Sequence, residues 1–333
     1  MGLSKRLRAP FTYFGGKARV AERVWAALGQ PKHYIEPFFG SGAVLLARPD
    51  YQQGVHVETI NDKDGYVANV WRALQADPDG VAKVCDWPVN HADLSARKRR
   101  LLAEGAGLLQ QLIEDDSYYD VTLAGYWIWA ASCWIGSGLT RLGQRPHIGD
   151  GGAGVHALGQ VPNISDRGKG VHALGQRPHL SNGGRGVQEP YNTKLYVWFR
   201  ALSERLRYVR VICGDWKRVC GGNWQDNTGL CGIFFDPPYG IADRDKWIYH
   251  ADSQTVAAEV AQWAVTRGAQ SSYRIVLAGY YEEHEWLLDH GWRVERWSAQ
   301  GGYENQGKDR TVNRHREALF FSPHCLNNDH PPI

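Results

Sequence analysis

No Cys-x-x-Cys pair occurs among the six cysteines of this 333-residue chain, Cys85, Cys133, Cys213, Cys220, Cys231 and Cys325. A chain of this length buries a sizeable core without disulfide staples, so scattered thiols point to a reducing, cytoplasmic setting. No apolar run approaches the length of a membrane span, and Met1 to Pro10 carry Lys5, Arg6 and Arg8 without the apolar stretch of a secretory leader. The expectation is a protein with no membrane partner. Net charge is scant as well: 38 basic against 35 acidic residues leave +3, too near balance to name a polyanionic partner by itself. His147, His156, His172 and His179 have neither nearby cysteines nor a closed ligand set, so no metal is expected.

Aromatic residues are plentiful, with fourteen tryptophans and sixteen tyrosines; most belong in a core, and unstacked bases also rest on such rings. Positive charge is concentrated. From Arg141 to Val187 there are six basic residues (Arg141, Arg145, Arg167, Lys169, Arg177 and Arg185) against Asp150 and Asp166. The same segment repeats with a period of sixteen residues: Leu142-Gly143-Gln144-Arg145-Pro146-His147 returns at Leu174, and between them as Leu158-Gly159-Gln160-Val161-Pro162-Asn163, where Val161 breaks the basic pattern. Each unit is too short and too poor in apolar residues to bury a core alone, which leaves stacked turns on another surface or a flexible low-complexity insertion.

Around this segment the pattern is alternating α and β. His33 to Glu36 reads as a strand, Phe39-Gly40-Ser41-Gly42 as a tight turn, Ala43 to Ala47 as a helix start, and Gly54 to Ile60 as a strand ending in Asn61-Asp62. Strand, glycine turn, helix, strand and acid is the order a nucleotide-like cofactor needs. Helices are expected over Tyr66 to Gln75, Ala92 to Leu112, Thr193 to Arg207, Ser253 to Thr266 and His284 to His290. Strands are expected over Tyr208 to Cys213, Ile233 to Phe235, Tyr273 to Ala278, Trp292 to Trp297 and Ala318 to Phe321. Together they suit a mostly parallel sheet with an antiparallel edge.

One short run carries chemistry. Asp236-Pro237-Pro238-Tyr239 follows the apolar Ile233-Phe234-Phe235, and neither proline can continue a strand ladder. A carboxylate, a fixed carbonyl and an aromatic face at a strand end suit a planar amine attached to a ring, although an ordinary strand-to-loop turn has the same ingredients.

The run sits in an ordered set: Phe11-Thr12-Tyr13-Phe14-Gly15-Gly16-Lys17, Glu36-Pro37-Phe38-Phe39-Gly40-Ser41-Gly42, Asn61-Asp62, Gly214-Asp215-Trp216 and Asp236 to Tyr239. That order resembles the Dam-like DNA adenine N6-methyltransferases, the alpha group with the Asp-Pro-Pro-Tyr motif, from about Pro10 to Ser322. The resemblance implies an α/β fold: a Rossmann-like S-adenosylmethionine-dependent methyltransferase sheet with an inserted target-recognition region. The organisation then expected is a catalytic part over 1–75 and 190–322, a recognition insertion over 76–189 holding the repeats of 142–187, and an unstructured tail over 323–333.

S-adenosylmethionine is the implied methyl donor. Tyr13, Gly16 and Lys17 would flank it, Glu36, Pro37, Phe38, Gly40 and Gly42 would form its methionine-side loop, and Asp62 would bind the ribose. Asp215 and Trp216 would meet its adenine. Asp236 would border the cofactor and, with Pro237, Pro238 and Tyr239, hold the target adenine. Double-stranded DNA is the implied partner, gripped by Ser137, Arg141, Arg145, Arg167, Lys169, Arg177 and Arg185. Ser137-Gly138-Leu139-Thr140-Arg141 departs from the relatives' pattern in having Ser for Asn. The residues also accommodate methylation of an RNA base or of cytosine N4, and a silent DNA-binding regulator on the same fold.

Overall fold

The computed structural model describes residues 7–11, 17–87, 91–133, 139, 193–222, 229–238, 255–297 and 317–327. Tyr13, Gly16, Tyr239, Ser137, Arg141 and the basic repeat residues Arg145, Arg167, Lys169, Arg177 and Arg185 lie outside that set. In chain order the described elements begin with helix α1 (Ala21–Leu28) and strands β1 (His33–Glu36) and β2 (Val57–Asp62). Helices α2 (Gly65–Ala76), α3 (Pro78–Cys85), α4 (His91–Glu114), α5 (Val121–Cys133) and α6 (Thr193–Leu206) follow. The chain continues through β3 (Val209–Cys213), α7 (Lys217–Cys220), β4 (Cys231–Phe235), α8 (Val256–Gly268), β5 (Tyr273–Tyr280), α9 (Tyr281–His284), β6 (Arg293–Arg296) and β7 (Glu317–Phe321).

Two compact units emerge: residues 1–13 with 64–207, and residues 14–63 with 208–333. The second holds the seven-stranded sheet, in the order β3-β2-β1-β4-β5-β7-β6. Pairings from β3 to β5 are parallel, and β7 pairs antiparallel with both β5 and β6. The expected mostly parallel sheet with an antiparallel edge is what the chain forms. Strand alternation sorts β4 between two layers. Ile233 and Phe235 join Val260, Ala261 and Ala264 of α8 in one core, whereas Gly232 turns to the other face, where an added side chain would strike Pro31 and approach Leu28 of α1. The strands buried on both faces read as unbroken apolar runs for this reason.

Three expectations shift. The helix start at Ala43 is only a 3-10 turn, Leu45–Ala47, because Pro49 drives Arg48 into an extended backbone with φ −55° and ψ 120°. His284 to His290 is a short α turn followed by the 3-10 stretch Glu285–His290, closed by Gly291 in the left-handed region. The start of the tail is ordered. The Leu326 N–H donates to Ala27, Arg274 and Arg293 donate to the carbonyls of His324 and Leu326, and Cys325 is buried. Backbone tied down in this way does not fray.

The described elements of the other unit are helices. The Asp64 carboxylate caps α2 by accepting from Tyr66, and Asp77 caps α3, whose first position is Pro78. Gly125 of α5 lies against Val84 of α3, where a side chain would collide. Arg97 is sandwiched among Trp87, Tyr126 and Trp129, its guanidinium 4.4–5.2 Å from their ring centres. This stack fills the space between α4 and α5 and accounts for a buried arginine.

Candidate active site

The sheet unit creates its crevice by topology. From β1 the chain steps outward through β2 to β3, then returns to place β4 on the other side of β1. Strand order reverses between β1 and β4, and ligands of open parallel sheets bind beside the carboxyl ends at such a point. Glu36 ends β1, Asp62 ends β2, Asp215 follows β3, and Asp236 follows β4. Four acids predicted from separate motifs thus come from four neighbouring parallel strands.

Their backbones are tied together. The Gly40 N–H donates to Asp62 Oδ2 at 2.8 Å, and the Phe39 N–H donates to the Asn61 carbonyl at 3.0 Å. The Asn61 side chain donates to the carbonyls of Pro37 and Gly214, each at 3.0 Å, and the Gly214 N–H returns to the Asp62 carbonyl at 3.0 Å. Gly40, Gly42 and Gly214 have φ of 48°, 63° and 133°, a range that favours glycine. At Gly42 a Cβ would also run into the Phe39 ring. Asp215 is exposed, with Oδ1 accepting from the Lys217 N–H. Phe38 is half-buried, packing toward Phe235, while Trp216 is buried edge-on against Phe235 and Trp263. Trp216 therefore backs the crevice.

Charge is arranged as closely as backbone. Lys17 Nζ lies 2.9 Å from Asp236 Oδ1, with 5% and 22% of the two side chains exposed. Glu36 is buried and accepts from the Tyr34 hydroxyl at 2.8 Å. Burial pushes the Glu36 carboxyl well above the usual carboxylate range; the Tyr34 hydrogen bond pulls it down, and the Asp236 charge adds to the upward push. Pro237 is buried and Pro238 half-buried, so the peptide after Asp236 is held by two fixed φ angles.

Lys17, Glu36, Pro37, Phe38, Gly40, Gly42, Asp62, Asp215, Trp216, Asp236, Pro237 and Pro238 are all described within this one unit. Three relations were missed from the sequence: the Lys17 to Asp236 pairing, the Tyr34 support of Glu36, and the bridging by Asn61. Tyr34 was legible, since residues two apart share a strand face. The other two depend on long-range closure. Among the described residues no three His, Cys, Asp or Glu side chains are grouped to hold a metal ion, and no helix is long and apolar enough to cross a membrane.

The arrangement suits a ligand rich in hydroxyls and amines, with acceptors spread over three strand ends and a further acceptor on the fourth. Residues 13–122 match the family model of the D12 class N6 adenine-specific DNA methyltransferases, a stretch that includes Lys17, Glu36, Gly40, Gly42 and Asp62 and ends before Asp215 and Asp236. Among curated proteins the sequence has no match.

Proposed function

We propose, for a chain whose residues 13–122 match the family model of the D12 class N6 adenine-specific DNA methyltransferases, that the methyl group comes from S-adenosylmethionine and goes to a flipped-out adenine of double-stranded DNA. The observation that carries this reading is the position of Asp236 at the carboxyl end of β4, directly across the β1/β4 reversal from Glu36. The donor set fits the cofactor. Asp62 is suited to ribose hydroxyls, Asp215 to the adenine amine, and Glu36 with Phe38 to the methionine end. S-adenosylmethionine, when bound, supplies an electrophilic methyl on a positively charged sulfur.

The remaining chemistry belongs to the chain. Adenine's exocyclic nitrogen is a poor nucleophile because its lone pair is delocalised into the ring. Acceptors at Asp236 and the Pro237 carbonyl would hold its two hydrogens and draw electron density back onto nitrogen. Methylation would leave the amine with one proton to shed, and the Asp236 carboxylate would be the group that accepts it. Lys17 fixes the Asp236 carboxylate through the 2.9 Å contact, which supports positioning as the main source of rate. Extruding the base costs a few kcal/mol of lost stacking and pairing, for which Tyr239 would compensate with its ring face.

The test is Asp236→Ala beside the shape-conserving Asp236→Asn, assayed by tritiated methyl transfer to unmodified DNA and by titration with S-adenosylmethionine. Turnover should fall by about 10² or more in both while cofactor affinity stays close to the parent. Parental turnover in either variant would refute the role.

A further inference from the structure

Asn61 is 1% exposed, stands next to the ribose acid, and has no chemistry of its own to perform. It nevertheless joins three stretches of chain. Its side-chain NH₂ donates to Pro37 and, across 153 residues of sequence, to Gly214, while its main-chain carbonyl accepts from Phe39. The turn after β1 is thereby gripped on both sides of Phe38. The turn after β3 is gripped twice as well, by the Asn61 amide on the Gly214 carbonyl and by the Asp62 carbonyl on the Gly214 N–H.

The orientation of this amide is fixed by chemistry. A flipped amide would aim its oxygen at two carbonyl oxygens, so the NH₂ must face them. The consequence is that Asn61 Oδ1 is buried with no hydrogen-bond partner. Such a buried acceptor costs about 1–3 kcal/mol. A side chain required only for packing would be apolar here, since Leu or Val leaves no orphaned oxygen. What the polar side chain adds is a fixed spacing between the Pro37 and Gly214 carbonyls, and with it the spacing of the turns bearing Phe38, Gly40 and Asp215.

We infer that Asn61 is a positioning residue that sets the separation of the two turns lining the cofactor crevice, so that its loss acts on cofactor affinity and leaves the methyl-transfer step intact. The inference rests on the reading that these turns hold S-adenosylmethionine. Asn61→Asp keeps the shape but replaces two donors with an acceptor facing two carbonyls; Asn61→Ala removes the donors without that repulsion. The dissociation constant for S-adenosylmethionine should rise by up to about thirty-fold in Asn61→Ala, the factor reached if binding must restore the turn spacing that the two hydrogen bonds held in the free protein, and further in Asn61→Asp.

Calorimetric titration with S-adenosylmethionine, thermal melting, and turnover at saturating cofactor separate the outcomes. Support is a weakened cofactor dissociation constant in Asn61→Ala, with turnover at saturation and DNA affinity unchanged. A lowered melting temperature with parental cofactor affinity overturns the inference and leaves Asn61 a structural residue. Equal losses in saturated turnover and affinity also overturn it. If the parent chain itself fails to bind S-adenosylmethionine, the proposed cofactor falls first and the inference with it, an outcome visible before any variant is made.

Discussion

Replacing His284 with Phe should flatten the acid limb of the protein's stability. The imidazole is 1% exposed, lies against Gly279 where even a Cβ would collide with it, and meets Phe320 edge-on at 5.7 Å between ring centres. Neither ring nitrogen has a hydrogen-bond partner, and the Glu283 carboxylate stands 3.9 Å from Nε2. Burial lowers the pKa from 6.5 to about 4, so the folded state keeps this ring neutral where the unfolded chain would protonate it. As pH falls below 6.5 the unfolded state gains a proton that the native state refuses, and stability is lost until pH reaches the folded value near 4. Between pH 7.5 and pH 5 the linkage amounts to about 2 kcal/mol, against a ceiling of about 3 kcal/mol from the full shift. His33, likewise lowered to about 4 by burial and then by Arg210, adds its own acid sensitivity and is common to parent and variant. The assay is urea unfolding followed by tryptophan fluorescence at the two pH values. The parent should lose about 2 kcal/mol more than His284→Phe on going to pH 5. Equal losses in the two proteins would refute the argument.

Two other outcomes are expected. Asp86 is buried with Oδ1 lacking a partner, and its pKa is raised to about 6, so its ionised form opposes folding as pH climbs from about 4 through 6. Asp86→Asn should therefore stabilise the chain by about 1 kcal/mol at pH 8 and leave it unchanged at pH 3.5, read from denaturant midpoints. Arg145→Glu combined with Arg177→Glu should weaken DNA binding and flatten its dependence on salt concentration, as fewer counterions are released; an unchanged slope removes the repeats from the interface.

Much of the sheet was legible because its strands are buried on both faces. Ile233-Phe234-Phe235, between Gly232 and Asp236, and Tyr34-Ile35, between His33 and Glu36, are short apolar runs, and they became β4 and β1. Strand ends carrying acids marked the crevice because an acid at the end of a buried strand lies at the carboxyl end of the sheet, Glu36 buried there and Asp215 exposed. Boundaries set by a single residue were less legible. Pro49 cut the segment after Gly42 to one 3-10 turn, and Asn61-Asp62 proved to be the last rungs of β2. Helices α1, α3 and α5 were missed: the first two are eight residues and too short for a sustained period, while Val121–Cys133 is apolar nearly all round and shows no helical stripe. Lys17 and Asp236 lie more than two hundred residues apart, and no local pattern pairs them. The family resemblance named the motifs, whereas their mutual distances came only from the assembled sheet.

The β2 to β3 pairing sets Glu58 beside Val209 and Asp62 beside Cys213, with helices α2 to α6 in the intervening chain. Closing a loop ten times longer than an ordinary crossover raises the entropic cost by about 2 kcal/mol if the loop is slack. It is not slack, because α2 and α6 are linked by bonds from Gln75 to Leu206 and from Ser203 to Gln75. The insertion thus shortens its own tether as it folds. During synthesis, β1 and β2 leave the ribosome long before β3, and Asn61 cannot reach Gly214 until residue 214 exists. The crevice is therefore a late event in the life of each chain, and a nascent chain ending before β3 should fold its helices yet lack the joined turns that line it.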